Sequence, residues 1–268
     1  MKINWMTALG EGLRLPDVDV LWNDYHEASK LPAALAREQS GAFQVTAEEA
    51  FVVSRAFRQI RTDGAVPLPE ASPRAGELAD IMAERRSARE LQRPVSLADL
   101  ATVLQQALAP NSVTVDGETG GTTMARAWPS AGGLYPLDVY VVAQQVTGLN
   151  PGCFHANLIA RQLEPIAAAP VIDVLRDGFF WQEFVTTAAA VVLLVAVFER
   201  SIAKYGERGY RFCLLDAGHA AQNVLLVAEQ QKLRAVSVGG FDDDELAAHL
   251  RIDGVHEAVV ESMAIGGR

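Results

Sequence analysis

The longest unbroken apolar stretch spans residues 188–198, AAAVVLLVAVF. It is too short to cross a bilayer, which takes about 20 apolar residues. Its valine and leucine content predicts a buried β-strand. Shorter apolar runs predict strands over 138–143, a hairpin near 152–166, and strands over 235–238 and 258–265. Helices are predicted over 77–84, 171–176, 210–231 and 243–250. Another starts at Ser96, has Asp99 at the capping-box position and continues to Leu108. Residues 111–124 are rich in glycine and threonine, and a mobile loop is expected there.

Upstream of these elements, residues 1–68 read as a helical N-terminal extension. Thr46-Ala47-Glu48-Glu49 is a capping-box pattern ahead of the apolar positions Phe51, Val52, Ala56, Phe57 and Ile60. The run Val66-Pro67-Leu68-Pro69-Glu70-Ala71-Ser72-Pro73 predicts a joint. Residues 69–268 then form the main domain. Its strands and helices are mixed, which argues for an α+β layer fold with one sheet.

Composition narrows the function classes. The chain has 268 residues and a net charge of −10, from 33 acidic and 23 basic side chains. Such a balance without a basic stripe argues against nucleic acid as a partner. The N-terminus lacks a signal-peptide core and no stretch is long enough for a membrane span, so a cytoplasmic protein is expected. Cys153 and Cys213 form no metal-ligand pattern and no disulfide framework. His26, His155, His249 and His256 also lack metal-ligand spacing, so no metal site is expected. No dinucleotide fingerprint, Walker loop, nucleophile elbow or H-E-x-x-H motif is present.

Four segments offer chemistry. Arg85-Arg86-Ser87-Ala88-Arg89 follows a short helix; its guanidinium forks suit phosphate oxygens, or alternatively the cations merely complement the helix end. Pro129-Ser130-Ala131-Gly132-Gly133-Leu134-Tyr135-Pro136 is small enough to let a flat ring approach the backbone, or is an ordinary turn before a strand. Lys204-Tyr205-Gly206-Glu207-Arg208-Gly209-Tyr210-Arg211 reads as a cationic turn leading into a helix. Lys204 and Tyr205 are two adjacent proton-transfer groups, and Arg208 or Arg211 would favour a neutral lysine. On that helix Asp216, His219 and Asn223 fall at spacings of three and four, and His219 reads as a hydrogen-bonded core histidine. The glycine pairs Gly239-Gly240 and Gly266-Gly267, the latter followed by Arg268, end two predicted strands.

In their order and spacing, Arg85–Arg89, Pro129–Pro136, Lys204-Tyr205 with Tyr210-Arg211, and Gly218-His219 with Gln222-Asn223 resemble the nitroreductase-like flavoproteins. In particular they resemble the SagB-type dehydrogenases, from about residue 75 onward. The resemblance implies a mixed sheet flanked by helices and an intertwined homodimer with two FMN molecules at the interface. By that resemblance Arg85, Arg86, Ser87 and Arg89 bind the phosphate or the flavin edge, and Arg268 joins the phosphate. Ser130, Ala131, Gly132, Gly133 and Leu134 line the ring, partly from the partner, and Gly239 and Gly240 lie nearby. Lys204 and Tyr205 are the implied catalytic pair. Many relatives oxidise azoline rings in peptides to azoles; in this chain the reduced flavin would then pass its electrons to oxygen. This implies a peptide or carrier-bound azoline substrate, with other biosynthetic enzymes as partners. The alternatives are an NAD(P)H-dependent nitro- or quinone reductase, and a flavin-free scaffold. Position 216 is aspartate where the family pattern more often has glutamate, and the chain stops after Arg268 where many relatives continue. Tyr25-His26-Glu27-Ala28-Ser29-Lys30 also matches a segment ahead of this domain in relatives.

Overall fold

The structure, a computed structural model, describes residues 21–30, 77–115, 122–166, 170–180 and 182–268. The expected helix behind Thr46–Glu49 and the proline-rich joint lie outside these residues. In chain order the elements start with α1 (Leu21–Ser29), α2 (Glu77–Glu84), β1 (Val95–Ser96), α3 (Leu97–Leu108), β2 (Pro110–Val115), β3 (Thr122–Arg126) and β4 (Leu137–Ala143). Then come β5 (Val146–Thr147), β6 (Gly152–Asn157), β7 (Gln162–Ile166), α4 (Val171–Gly178), α5 (Glu183–Thr186) and β8 (Ala190–Val197). The chain ends with α6 (Glu199–Tyr205), α7 (Arg208–Gln230), β9 (Arg234–Ser237), α8 (Asp243–Leu250) and β10 (Glu257–Gly266).

β8 is the apolar run of the sequence, and it lies inside a six-stranded sheet ordered β7-β6-β4-β8-β10-β9. Successive side chains point to opposite faces. Val192 and Leu194 therefore enter one core, with α3 and α7. Val191, Leu193 and Val195 enter the other, with α4 and α8. Because both faces are covered, β8 shows no polar–apolar alternation even though both its pairings are antiparallel. Each of these five valines and leucines is fully buried, which stabilises by roughly 1.5–3 kcal/mol per side chain. Parallel pairing enters through β1 with β5 and through a bridge from Ser87 to Ala235 of edge strand β9. The expected α+β architecture, a mixed sheet flanked by helices, is the one observed.

Three sequence expectations need correction. Residues 111–115 and 122–124, expected within a mobile loop, belong to the antiparallel hairpin β2–β3, with Val115 opposite Thr122. β-branched Val113, Thr114, Val115, Thr122 and Thr123 favour strand, and the glycine content hid this. Lys204 and Tyr205 are not in a turn: they end the short helix α6, which Gly206 stops at φ 55. Gly209 then lets α6 and α7 cross in backbone contact, since a Cβ there would lie 2.7 Å from Ile202 N and from the Ser201 carbonyl carbon. Finally, His219 is exposed, not a core histidine. It sits about 60° around the helix from Asp216, enough to turn it outward.

α1 falls inside the expected extension and packs into the main core through Trp22. Among the described residues, no helix is long and apolar enough to cross a membrane.

Candidate functional site

The small-residue turn is built by its own sequence. The Ser130 hydroxyl accepts the Tyr135 N–H at 2.9 Å, and the Gly133 N–H reaches the Ser130 carbonyl at 3.0 Å. Buried Trp128 meets Tyr135 edge-on at 5.7 Å, and the Arg126 guanidinium packs over both rings. Arg126 Nη1 also donates to Leu108 O at 2.7 Å, and its N–H donates to the Tyr135 hydroxyl. The result is a braced corner with Gly132 and Gly133 exposed at positive φ, 64° and 67°. Arg126, Trp128 and Tyr135 form the corner's scaffold; an aromatic pair flanking a glycine pair was the available sequence signal for it.

Lys204 and Tyr205 close on this corner. A Cβ added to Gly132 would lie 2.5 Å from Tyr205 Oη and 2.7 Å from Lys204 Nζ. Only glycine admits both polar tips. Lys204 Nζ lies 5.3 Å from the Tyr205 ring centre, and that ring meets Phe212 edge-on at 5.0 Å. Tyr210 points inward and is 8% exposed. Arg208 and Arg211 are exposed.

Asp216 is buried beneath the same corner. Loss of water around it pushes its carboxyl above the usual carboxylate range, opposed by the approach of the Ser130 hydroxyl, His219, the Ala131 N–H and the Trp128 indole. Neither Asp216 Oδ2 nor Trp128 Nε1 closes a well-formed hydrogen bond. Cys153 and Cys213 are buried and free, and burial pushes both thiols up to about 11. At neutral pH neither offers a thiolate nucleophile. Among the described residues, no three His, Cys, Asp or Glu side chains gather as a metal site.

The second group gathers elsewhere. Arg86, Ser87 and Arg89 line a cleft of about 650 Å³ with Arg268, Arg234 and Glu229. Arg234 and Glu229 were missed in the sequence, since Arg234 sits just ahead of a predicted strand and Glu229 inside a predicted helix, with no motif around them. Arg268 pairs with buried Glu229, and Arg234 pairs with Glu90 at 2.7 Å. Arg86 Nη1 donates to Ala83 O and Arg85 O, closing the end of α2. Arg89 lies over the Phe184 ring and has no carboxylate partner among the described residues. Arg85 is half-buried outside the cleft lining. Gly239 and Gly240 follow β9, and the Gly240 carbonyl accepts from Gln182 Nε2 at 2.6 Å. Ala235, beside Ser87, and Gly239 are four residues apart, roughly 13 Å of extended edge.

Within one protomer the two groups stand apart. Asp216 marks the glycine corner and Glu229 the arginine cleft, thirteen residues along α7, or about 20 Å. Between and before them runs an exposed stripe of Arg211, Leu214, Leu215, Gly218, His219 and Gln222, with Leu215 51% exposed.

A helix-covered antiparallel sheet with a glycine corner and an arginine-lined edge defines a class of α+β protein that comparison identifies. The Nitroreductase family matches residues 82–267, and the chain belongs to that family. The nitroreductase-like protein MJ1384 of Methanocaldococcus jannaschii is 34% identical over 177 residues, covering 66% of this chain and 85% of that one. The microcin B17-processing protein McbC of Escherichia coli is 28% identical over 137 residues, or 49% of this chain and 50% of its own. The trifolitoxin-processing protein TfxB of Rhizobium leguminosarum bv. trifolii is 29% identical over 178 residues, or 62% and 42%. This chain thus spans half or less of the two peptide-processing relatives. In structure it resembles the E. coli microcin synthetase McbBCD complex with truncated pro-MccB17 bound, at TM-score 0.66 and 19% identity over 92% of each chain. These relatives bear out the resemblance read from the sequence.

Proposed function

We propose that the protein is a cytoplasmic, FMN-dependent dehydrogenase of peptide natural-product biosynthesis that oxidises thiazoline or oxazoline rings to azoles. The observation that carries this reading is the packing of Lys204 Nζ and Tyr205 Oη onto Gly132. It places two proton-transfer groups at a backbone corner open to a flat ring. Two relatives are named for processing microcin B17 and trifolitoxin, which favours a peptide substrate. It also favours other biosynthetic enzymes as partners.

The residues fit FMN. Arg89 and Arg268 would take the phosphate beside Ser87, with Arg86 and Arg85 adding positive charge at the end of α2. A ligand extended along the β9 edge from there reaches Gly239 and Gly240. The ring would rest on Ser130–Leu134, contributed partly by the partner subunit. When bound, FMN supplies hydride acceptance. The chain's own part is to hold the azoline over the corner, exclude water and take the ring proton on Lys204 or Tyr205. Loss of that proton and one hydride turns the azoline into the azole. The 1–68 segment would act as an extension to this domain, 69–268.

A homodimer supplies the missing proximity. A two-fold axis across the exposed α7 stripe sets the two helices antiparallel, carrying one protomer's arginine end toward its partner's Lys204–Tyr205 end. Leu215→Asp puts a charge in that face. It is expected to shift the protein to monomer in sedimentation and to weaken FMN binding with it. A monomeric variant that binds FMN like wild type would exclude a shared site.

Three measurements test the reading. The purified protein should be yellow, or become so with FMN. Arg89→Ala should weaken FMN binding about tenfold, the loss of one or two charge-assisted hydrogen bonds; unchanged affinity in a titration followed by flavin fluorescence removes Arg89 from the site. Anaerobic NADPH should leave the flavin oxidised, whereas rapid bleaching would favour the nitro- or quinone reductase. A protein still colourless after FMN addition would be a scaffold.

A further inference from the structure

The Tyr25–Lys30 segment has no place in the site above, yet its His26, Glu27, Ser29 and Lys30 side chains are all hydrogen-bonded or ion-paired. His26 is 3% exposed. Its Nε2 lies 3.2 Å from Gly254 O and its Nδ1 lies 3.3 Å from Tyr210 Oη. A carbonyl only accepts, so Nε2 carries a proton toward Gly254 O, while the tyrosine hydroxyl sits within hydrogen-bond reach of Nδ1. Ser29 donates to His26 O at 2.8 Å. Lys30 Nζ bridges Glu27 at 3.1 Å and Asp244 of α8 at 3.0 Å. Tyr25 meets Tyr210 edge-on at 5.9 Å. One turn earlier, Trp22 stacks on Tyr210 and packs on Phe198 at 5.2 Å, and its backbone N–H donates to Glu207 Oε2 at 2.7 Å.

Those partners bracket one element. Phe198 precedes α6, and Glu207 and Tyr210 follow it. α6 has seven residues, far too few to hold a helix alone. One contact fixing it is the Gly209 crossing, which sets its middle. Its two flanks are held by α1: Phe198 lies between Trp22 and His26, with ring centres 5.2 and 5.1 Å away. The last two residues of α6 are Lys204 and Tyr205.

We propose that α1 is a positioning clip for the Lys204–Tyr205 pair, with Trp22 and His26 as the positioning residues. Neither touches Gly132. They act by fixing both ends of α6, and so the placement of two polar tips against the glycine corner. The inference rests on the catalytic reading of that pair, so its test has one arm that does not.

The first arm is hydrogen exchange on the FMN-loaded protein. His26→Ala removes both hydrogen bonds and one wall of the Phe198 pocket. It should speed exchange of the α6 amides on the order of tenfold, the scale of one buried hydrogen bond. The amides of β8 should stay protected. His26→Gln, which restores a donor toward Gly254 O, should recover most of the protection. The second arm is turnover of a synthetic thiazoline peptide, read as loss of two hydrogens by mass spectrometry. His26→Ala should lower kcat about tenfold with KM and FMN affinity unchanged, and His26→Gln should restore it. If His26→Ala does not fold, Glu207→Ala serves instead, because it cuts the Trp22 N–H bond from an exposed side chain; the same two effects are expected, smaller in size. Unchanged α6 exchange in the folded variants overturns the clip. So does faster exchange with unchanged kcat in a protein where Lys204→Ala abolishes turnover. Should Lys204→Ala itself be harmless, the catalytic reading fails, while the exchange arm still decides whether α1 holds α6.

Discussion

Lys204→Ala should keep its bound flavin and its fold and lose about 10²–10⁴-fold in azoline turnover, the usual worth of a positioned general base. Lys204 is exposed at the end of a short helix, where a truncation changes stability by at most about 0.5 kcal/mol. A large activity loss therefore reports chemistry, not unfolding. Tyr205→Phe is the paired experiment. Its ring keeps the edge-on contact with Phe212 at 5.0 Å, and only the hydroxyl at the Gly132 corner is lost. Whichever variant loses more identifies the base, and the other residue orients it. The expected outcome is a stopped-flow trace in which the variants' flavin is intact but reduced slowly by substrate. Wild-type rates in both variants would sink the assignment of roles.

The fold was legible wherever one local signal dominated. Ser96 and Asp99 announced α3, and the Ser96 hydroxyl does accept the Asp99 N–H at 3.0 Å. The apolar run at 188–198 announced β8 because two helical layers cover that strand. The failures have two causes: a local composition that misleads, or a deciding contact outside the element itself. The β2–β3 hairpin is set by cross-strand pairing that glycine content masked. α6 is stabilised by Phe198 against Trp22 and by the Gly209 crossing, none of which shows in seven residues. His219 fell on the outward side because the boundary of the exposed stripe is fixed by what α7 packs on, not by its own spacing. The site was legible as four motifs, but not as two clusters about 20 Å apart along α7. That division arises only when the sheet edge and the helix are both in place. It is also what makes the exposed face with Leu214 and Leu215 meaningful, since a protomer alone does not bring the arginines to the glycine corner.

Gly132→Ala should cost as much activity as many direct catalytic substitutions, although it removes no functional group. The residue sits at φ 64, which an alanine adopts only with strain of about 1 kcal/mol. The added methyl must also displace Tyr205 Oη and Lys204 Nζ, which lie 2.5 and 2.7 Å from where it would be. Both are tips of flexible side chains, so the protein will fold, and the pair will yield instead of the corner. A displacement near 1 Å in a reacting group is worth about 10²-fold in rate. The test is a double-mutant cycle with Lys204→Ala. If Gly132 acts by placing the pair, Gly132→Ala lowers kcat about 10²-fold alone and far less in the Lys204→Ala background. Equal losses in both backgrounds would show that the corner acts independently of the pair, on the flavin or on the fold. A melting temperature unchanged beyond the small strain term separates those two: a stable, yellow, slow Gly132→Ala protein whose defect vanishes when Lys204 is gone can only have lost the placement of that side chain.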